Sequence, residues 1–382
     1  MIIERKISKI IESHLFKGRN KKKVIIIYGP RQVGKTTLVQ QLLKKHPGKA
    51  EYFNCDYFDV QEQFAYKNAG QFQKFLSNVK LLILDEAQRI ENIGLVLKIL
   101  VDHYPSVQVV ATGSSSFDLS NKIKEPLTGR KIELKLFPFS VSELFVHKTK
   151  LEKNRLLENF LRYGTYPAAI LADEKGAELA LKELTSSYLF KDVLAFQDLK
   201  RSDLLIKLLQ LLAFQIGHQV SYHELAINLG VDQTVIQKYI HLLEEAFVLF
   251  RLPAFSRNLR KEVAKSRKIY FYDLGIRNTL IQNYNPLSLR KDAGELWENF
   301  CIAERIKALE YDEKTANHYF WRTYTQKEID FIEEKGGQLA AYEFKWDAHR
   351  TVKPPKEFLE TYKGSTFQVI TPENYEKLII NG

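Results

Sequence analysis

The sequence GPRQVGKT at residues 29–36 limits most strongly what this chain can fold into. It satisfies G-x-x-x-x-G-K-[ST], the pattern of a phosphate-binding loop. The run before it, VIIIY, is continuously apolar and β-branched, which is typical of a strand buried on both faces of a parallel sheet. A helical stretch from Lys35 to about His46 follows. Because a phosphate loop has to lie between such a strand and a helix N-terminus, the context favours a nucleotide site.

The residue types in this loop fit phosphate chemistry. Gly29 and Gly34 allow the backbone to turn so that several N–H groups converge on phosphate oxygens. Lys35 is the expected cation for the β- and γ-phosphates, and Thr36 the expected hydroxyl ligand of Mg²⁺. The predicted cofactors are therefore ATP and Mg²⁺. The predicted nucleotide-binding residues of the loop are Gly29, Pro30, Arg31, Gln32, Val33, Gly34, Lys35, Thr36 and Thr37.

A second apolar run, LLILDEAQ at residues 81–88, ends in two acids. We expect Asp85 to hold Mg²⁺ through water and Glu86 to polarise the attacking water. Acids at a strand end also commonly form turns, but their pairing with the phosphate loop favours the catalytic interpretation. Because the second acid is a glutamate, the pair suits hydrolysis better than nucleotide switching.

Hydroxyl groups follow the predicted fourth strand, in ATGSSS. Thr112, Ser114 or Ser115 is expected to place a hydroxyl between the nucleophilic water and the γ-phosphate. We select Ser114. The alternative is a turn made of small residues.

Strands alternate with helices up to Pro138, with further strands at EYFNCD (51–56), VQVVATG (107–113) and KIELKLF (131–137). This alternation predicts an α/β fold with a mostly parallel sheet. Residues 140–216 have a helical pattern almost throughout. Residues 217–275 form a smaller unit of helices followed by strands, and residues 290–382 return to mixed α and β.

The motifs GPRQVGKTTL, LLILDEAQ, ATGSSS and PLTGRKIELKLFPFSVSEL, taken in this order, resemble a bacterial and archaeal family of AAA-type P-loop ATPases. The resemblance continues into residues 160–250, through RYGTYPAAI and SYHELAINLGVDQTVIQKYIHLLEEAFVL. The C-terminal part of that family is a domain of unknown function that resembles restriction-type nucleases. The resemblance implies an AAA-type ATPase core (1–139), a helical lid (140–202), a winged-helix unit (203–280) and a restriction-endonuclease-like α/β domain (290–382).

By the same resemblance, Arg130 is the candidate arginine finger. In such ATPases the finger precedes the fifth strand and usually reaches the γ-phosphate of a neighbouring subunit, which implies a homo-oligomer. A guanidinium there would neutralise charge on the transferring phosphoryl oxygens. The alternative is an arginine that caps helix-end carbonyls.

Residues 221–252 carry a helix-turn-helix pattern, in which Ser221 and Asp232 are the expected caps. The segment 256–268 that follows has six basic residues against one acid and is expected to contact DNA as a wing. The alternative, a lid or domain connector, carries comparable weight, because winged-helix units in AAA-type proteins often have that role. The second helix, with three acids in DQTVIQKYIHLLEE, is poorly suited to a DNA groove.

The C-terminal region contains a D-x(12)-E-x-K arrangement formed by Asp330, Glu343 and Lys345. On adjacent strands joined by the turn Lys335-Gly336-Gly337, these side chains would share one face. The arrangement resembles the metal site of restriction-type nucleases, with Asp330 and Glu343 holding Mg²⁺ and Lys345 orienting water. Glu298, on a helix, is the expected outer ligand. Glu-x-Lys is also a common surface charge pair, so nuclease activity stays open.

Composition narrows the functional classes. The 382 residues carry 57 Lys and Arg against 46 Asp and Glu, a net charge of +11 that fits a polyanionic partner. Two cysteines exclude a disulfide scaffold and a Cys-rich zinc module. Apolar runs are strand-sized, so we expect no signal peptide and no membrane span, and a cytoplasmic protein. Two functions compete: a DNA-associated ATPase, and a nucleotide-gated switch or remodeller that acts on proteins.

Overall fold

The computed structural model describes residues 3–15, 23–65, 69–113, 123, 126–188, 202–257, 266–350 and 352–380. The chain divides into two compact units. Unit 1 comprises residues 1–137 and 245–247, and unit 2 comprises residues 138–244 and 248–382. The finer division into four domains stays a prediction. Within the described ranges, no helix has both the length and the apolar character needed to cross a bilayer.

Unit 1 is built on a five-stranded parallel sheet with the strand order β2-β3-β4-β1-β5. Every residue of β1 and β3 is buried, as the continuous apolar runs predict. The sheet has the P-loop NTPase fold, which confirms the predicted class of the N-terminal part. The strands are β1 Val24–Tyr28, β2 Ala50–Asn54, β3 Leu81–Asp85, β4 Gln108–Gly113 and β5 Lys131–Lys135.

Because β4 lies between β1 and β3, the residues that follow these three strands meet at one edge of the sheet. The described helices of unit 1 connect the strands. They are α1 Lys6–His14, α2 Lys35–Lys45, α3 Phe58–Phe64, α4 Gln73–Leu76 and α5 Ile93–His103, with 3-10 turns at Ala69–Phe72 and Ala87–Arg89.

Unit 2 begins with helices, as the sequence pattern predicts. Two of them start at capping boxes, formed by Ser140 with Glu143 and by Thr149 with Glu152. The helices are α6 Val141–Leu144, α7 Lys150–Tyr163, α8 Pro167–Ile170, α9 Glu174–Glu183 and α10 Ser202–Phe214, with a π-helical turn at Leu184–Tyr188.

Two further helices, α11 Tyr222–Leu229 and α12 Gln233–Glu245, precede an antiparallel pair of strands, β6 Leu249–Pro253 and β7 Arg267–Phe271. The Ser221 side chain accepts from the backbone N–H of Glu224, which caps α11 as expected. The helix α13 Leu274–Leu280 follows β7.

The last part of unit 2 is a four-stranded sheet in the order β11-β10-β9-β8, in which only β10 and β11 are parallel. Strands β9 and β10 form the predicted hairpin, and Gly336 and Gly337 turn it with φ of 57° and 80°. The elements are a 3-10 turn at Leu287–Leu289, α14 Ala293–Tyr311, β8 Asn317–Arg322, β9 Glu328–Lys335, β10 Gln338–Phe344, α15 Lys356–Thr361, β11 Thr366–Ile370 and α16 Glu376–Ile379.

Candidate functional sites

The phosphate loop of unit 1 closes around the ammonium of Lys35. This residue opens α2 and is 5% exposed, and its Nζ donates to the carbonyls of Gly29 and Pro30, each at 2.9 Å. Gly34 has φ +97°, which favours glycine. A Cβ on Gly29 would lie 2.2 Å from the Leu136 carbonyl oxygen, so this position also requires glycine.

The other loop residues differ in exposure. Val33 is buried, Arg31 is half-buried, and Gln32 is exposed with φ +61°. Thr36 and Thr37 lie exposed in the first turn of α2. Their hydroxyls are therefore accessible where the N-terminal end of the helix favours an anion and its counter-ion.

Thr112 links the two acids at the end of β3. Asp85 is 2% exposed, and its Oδ1 accepts from the Thr112 hydroxyl while its Oδ2 accepts from the Tyr52 hydroxyl at 2.9 Å. The backbone N–H of Glu86 donates to Thr112 Oγ1 at 3.0 Å. One hydroxyl on β4 thus holds the side chain of Asp85 and the backbone of Glu86 together.

The sequence offers Thr112, Ser114 and Ser115 as the hydroxyl between the nucleophilic water and the γ-phosphate, and we selected Ser114. Both serines lie outside the described residues, so the role of Ser114 stays a prediction. Thr112 contacts Asp85 directly, which gives it a place in the site that the sequence argument did not assign.

Tyr52 and Gln88 are two members of this site that the sequence argument missed. Burial, followed by the hydrogen bond with Asp85, raises the pKa of Tyr52 above its ordinary range, so Tyr52 remains a neutral donor. Gln88 Nε2 donates to Glu86 Oε2 at 2.6 Å. The sequence places Tyr52 on a predicted strand, but only the fold shows that this strand pairs with β3, whereas Gln88 lies within the quoted motif.

Arg130 lies at the opposite edge of the sheet from the phosphate loop. Its carbonyl accepts from the N–H of Val24, at the start of β1, whereas the loop follows the end of β1. A five-residue strand spans about 16 Å, which separates Arg130 from the loop of its own chain. Its Nε donates to Asp102 Oδ1 at 2.9 Å, and its side chain is 43% exposed.

The C-terminal hairpin brings the predicted trio of unit 2 together. Tyr342 pairs with Phe331, so Asp330 and Glu343 are the next residues in register. Lys345 Nζ lies 2.7 Å from Glu343 Oε1 and 3.9 Å from Asp330 Oδ2. A short distance therefore separates all three charged groups, as the D-x(12)-E-x-K spacing predicts.

Glu298, the predicted outer ligand, faces the same cavity as Asp330 and Lys345, which has a volume of about 580 Å³. Its Oε1 accepts from Lys268 Nζ at 3.0 Å and from the Tyr270 hydroxyl at 2.5 Å. Lys268 and Tyr270 lie on β7, outside the region in which the sequence argument located the site.

The electrostatics of this cavity favour protonation of its acids. Burial and the charge of Glu298 raise the pKa of Asp330 to about 7, against the opposing charges of Lys268 and Lys345. Burial and the charge of Asp330 also raise the pKa of Glu343. Among the described residues, no group of three or more His, Cys, Asp or Glu side chains is arranged to hold a metal ion. Metal binding here stays a prediction.

The basic segment 256–268 is described only at its two ends. Arg257 forms an ion pair with Glu334, the Arg267 guanidinium lies 4.2 Å from the centre of the Tyr222 ring, and Lys268 is 2% exposed. Lys268 is therefore not a surface residue, although the sequence counts it with the wing. Arg260, Lys261 and Lys265 lie outside the described residues.

Family models match three consecutive parts of the chain. Residues 21–145 match an AAA domain, residues 154–287 match a domain of unknown function (DUF8612), and residues 293–378 match another (DUF4143). The N-terminal part is thus an AAA-type P-loop domain, and two domains of unknown function follow it. This confirms the resemblance to AAA-type P-loop ATPases, whereas the winged-helix unit and the nuclease-like character of the C-terminal domain stay predictions.

Similar proteins occur in bacteria and archaea. An uncharacterized protein of Mycobacterium tuberculosis is 28% identical over 349 residues, which cover 90% of this chain and 74% of the relative. An uncharacterized protein of Methanocaldococcus jannaschii is 30% identical over 319 residues, 73% of this chain and 65% of the relative. One of Haemophilus influenzae is 24% identical over 382 residues, 94% of this chain and 91% of the relative.

Two solved structures are also similar. The Aeropyrum pernix ORC1 protein in complex with DNA aligns with a TM-score of 0.33 and 15% identity, over 73% of this chain and 91% of that chain. The Thermotoga maritima RuvB Holliday junction branch migration motor aligns with a TM-score of 0.31 and 17% identity, over 66% of this chain and 90% of that chain.

Proposed function

We propose that the chain binds ATP with Mg²⁺ and hydrolyses it at the phosphate loop of unit 1. The observation that carries the proposal is the link through Thr112, which holds Asp85 and the backbone of Glu86 at the edge where the loop lies. Lys35 opens the helix at the same edge of the sheet. A cation, two acids and a helix N-terminus are the parts that phosphoryl transfer to water requires.

Each residue has a separate task in this proposal. The backbone amides of residues 29–37 and the Lys35 ammonium bind the phosphates, and phosphate oxygens replace the Gly29 and Pro30 carbonyls as acceptors of Lys35. Thr36 and Asp85 would hold Mg²⁺, which when bound neutralises charge on the phosphates. Glu86 orients the attacking water and accepts its proton, and Ser114 is the proposed hydroxyl near the γ-phosphate.

Arg130 is proposed to act on the nucleotide of another copy of the chain. Its position at the opposite edge of the sheet supports action between chains over action within one chain. The ion pair with Asp102 supports the alternative, in which Arg130 has only a structural role. Mixing two inactive variants distinguishes the two roles. An active enzyme would then be a homo-oligomer.

Two substitutions test the nucleotide site. Lys35→Ala should abolish ATP binding, because it removes contacts made in both the ground state and the transition state. Glu86→Gln should keep binding but lower turnover about 100-fold or more, because it removes only water activation. Lys44→Ala, on the exposed side of α2, is the matched control and should leave both unchanged. Full turnover by Glu86→Gln would remove Glu86 from the mechanism.

We propose further that the ATPase is DNA-associated, through the basic segment 256–268. The net charge of +11 and the composition of this segment support the proposal. Three of its six basic residues are engaged within unit 2, so about three phosphate contacts remain. Affinity for duplex DNA should then fall with salt with a logarithmic slope of about −3. A slope near zero would contradict the proposal.

The alternative function is a nucleotide-gated switch or remodeller that acts on proteins. The second helix, α12, favours it, because its sequence QTVIQKYIHLLEE has a single lysine and no arginine to meet DNA phosphates. ATP turnover measured with and without duplex DNA separates the two functions: stimulation supports DNA association, and an unchanged rate supports the alternative. A cytoplasmic location, where the thiols of Cys55 and Cys301 stay reduced, belongs to both proposals.

For the C-terminal cavity we propose a restriction-nuclease-like metal site formed by Asp330 and Glu343. The residues fit a divalent cation, because burial and the charge of neighbouring acids raise the pKa of both adjacent carboxyl groups, and a bound cation would offset that repulsion. Mn²⁺ at 100 times its Kd should stabilise the full chain by about 2.7 kcal/mol, and Asp330→Asn should not respond. If Mn²⁺ does not change the melting temperature of the wild type, the proposed metal site is wrong.

A further inference from the structure

A buried lysine from outside the C-terminal sheet reaches into the proposed metal site. Lys268 lies on β7, its side chain is 2% exposed, and its Nζ lies 3.0 Å from Glu298 Oε1 and 2.6 Å from Glu328 Oε1. The Tyr270 hydroxyl, two residues along the same strand, donates to the same oxygen of Glu298. Strand β7 thus supplies a cation and a neutral donor to acids that belong to α14 and β9.

The acids that Lys268 and Lys345 contact fall into two groups. Lys345 lies beside Glu343 and Asp330, at 2.7 and 3.9 Å. Lys268 lies between Glu298 and Glu328, and Arg322 Nη1 also lies 3.1 Å from Glu328 Oε2. The two groups are close enough for the charge of Glu298 to act on Asp330. Lys268 and Lys345 therefore each contact two carboxyl groups.

We propose that Lys268 is a built-in cation of this site, and that it takes the place of a second divalent ion. It holds Glu298 and Glu328, so that Asp330 and Glu343 are left to bind a single divalent ion. In this role Lys268 is a positioning residue. The inference rests on the metal site proposed above and concerns how many ions that site accepts.

Electrostatics supports this assignment. A divalent ion bound by Glu298 and Glu328 would have to displace the Lys268 ammonium from its carboxylates. The ammonium would then remain buried without a compensating charge, which is costly in a medium of low dielectric constant. The Lys268 Nζ lies 3.0 and 2.6 Å from two carboxylate oxygens, which is the environment of a charged ammonium.

The number of Mn²⁺ ions bound per full-length chain tests the inference, measured from the electron paramagnetic resonance signal of free Mn²⁺. The wild type should bind one ion. Lys268→Met removes the charge at similar length and should bind two, because Glu298 and Glu328 lose the ammonium that they share, and Arg322 contacts Glu328 from one side only. Lys268→Arg keeps the charge and should bind one. Lys291→Met, an exposed lysine on the same cavity, is the matched control and should bind one.

A second variant keeps the test decisive if Lys268→Met does not fold. Glu298→Gln can still accept from Lys268 and Tyr270, and it should still bind one ion, whereas Asp330→Asn should bind none. Loss of the ion in Glu298→Gln, two ions in the wild type, or a single ion in a folded Lys268→Met would each overturn the inference while leaving the metal site intact. A wild type that binds no Mn²⁺ would overturn both proposals.

Discussion

The two candidate sites both collect acids and a lysine, but they compensate the charges of the acids differently. In unit 1, Asp85 accepts from Thr112 and Tyr52, which are neutral donors, and Lys35 donates to main-chain carbonyls. In unit 2, Lys345 lies beside Asp330 and Glu343. In the unit 1 site the acid and the lysine each contact neutral groups, whereas in the unit 2 site the acids contact the lysine.

This difference indicates what each site can accept. A nucleotide with Mg²⁺ brings negative charge to Lys35 and positive charge to Asp85, so binding adds an opposite charge at each of them. In unit 2 most of the charge is already balanced within the protein. An added cation would gain most at the carboxyl group that is compensated least, which is Asp330, whose pKa is raised to about 7.

The largest expected effect concerns Arg130, which we propose to act on the unit 1 site of a neighbouring copy. If Arg130 completes the site of a neighbouring copy, Arg130→Ala should lower turnover about 10³-fold and leave ATP binding intact. Excess Lys35→Ala protein, whose Arg130 is intact, should restore activity to Arg130→Ala chains. Turnover per chain should also rise with protein concentration.

A control variant distinguishes a catalytic role of Arg130 from a structural role of its ion pair with Asp102. Asp102→Asn removes the charge that Arg130 Nε contacts at 2.9 Å and should reduce turnover far less than Arg130→Ala. Equal losses in the two variants, together with failed rescue and turnover independent of concentration, would make Arg130 structural.

The second effect concerns Asp330 and the stability of unit 2 as a function of pH. The pKa of this carboxyl group is about 7 in the folded chain, against about 3.9 when unfolded, so the folded state holds the proton more tightly. Its contribution to stability is therefore full below pH 4 and is lost as pH rises toward 7. The loss should amount to about 4 kcal/mol.

Asp330→Asn tests this prediction, because the amide cannot titrate. The melting temperature of the variant should exceed that of the wild type at pH 8 in the absence of divalent ions, and the difference should shrink at pH 4. Glu357→Gln, an acid near the surface of the same unit, should not change the pH profile. Parallel profiles for Asp330→Asn and the wild type would show that Asp330 ionises normally.

The third effect concerns the neutral donors of unit 1. Thr112→Val removes the hydroxyl that holds Asp85 and Glu86, and turnover should fall about 10- to 100-fold. Tyr52→Phe removes only one hydrogen bond to Asp85 and should have a smaller effect. Steady-state turnover at saturating ATP measures both variants. A larger loss in Tyr52→Phe would contradict the central role given to Thr112.

The sequence predicts unit 1 in detail because its signals are local. The bounds of β1 and β3 agree with the apolar runs residue for residue, since strands buried on both faces show no alternation. Lys35 opens α2, as the loop motif requires. Tyr52 escaped notice because its link to Asp85 depends on which strands are neighbours in the sheet.

The C-terminal site could be predicted only in part, because some of its residues are brought together by the fold and not by local spacing. Spacing along one hairpin brings Asp330, Glu343 and Lys345 together, and the sequence contains that spacing. Lys268 was assigned to a DNA-binding wing, since a sequence shows the charge of a residue but not its partner. Its partner Glu298 is 30 residues away on a helix, and only the fold joins them.

The smallest expected effect concerns Gln88 and tests whether the unit 1 acids depend on neutral partners. Gln88 Nε2 donates to Glu86 Oε2 at 2.6 Å. Gln88→Ala should lower turnover less than tenfold, because Glu86 loses one orienting bond but keeps its backbone link to Thr112. A rise in turnover would mean instead that Gln88 holds Glu86 away from the attacking water.

Gln88→Glu also tests the role of Gln88, because it replaces the neutral amide beside Glu86 with a carboxylate. Two adjacent carboxyl groups would then meet, as Asp330 and Glu343 do in unit 2. A second carboxylate beside Glu86 would repel it instead of donating to it, so turnover should fall further than in Gln88→Ala. Gln40→Glu, exposed on α2, adds the same charge away from Glu86 and should leave turnover unchanged. If Gln88→Glu turns over ATP as fast as the wild type, the Gln88 amide does not orient Glu86, and the distinction between the two sites would have to rest on Asp85 alone.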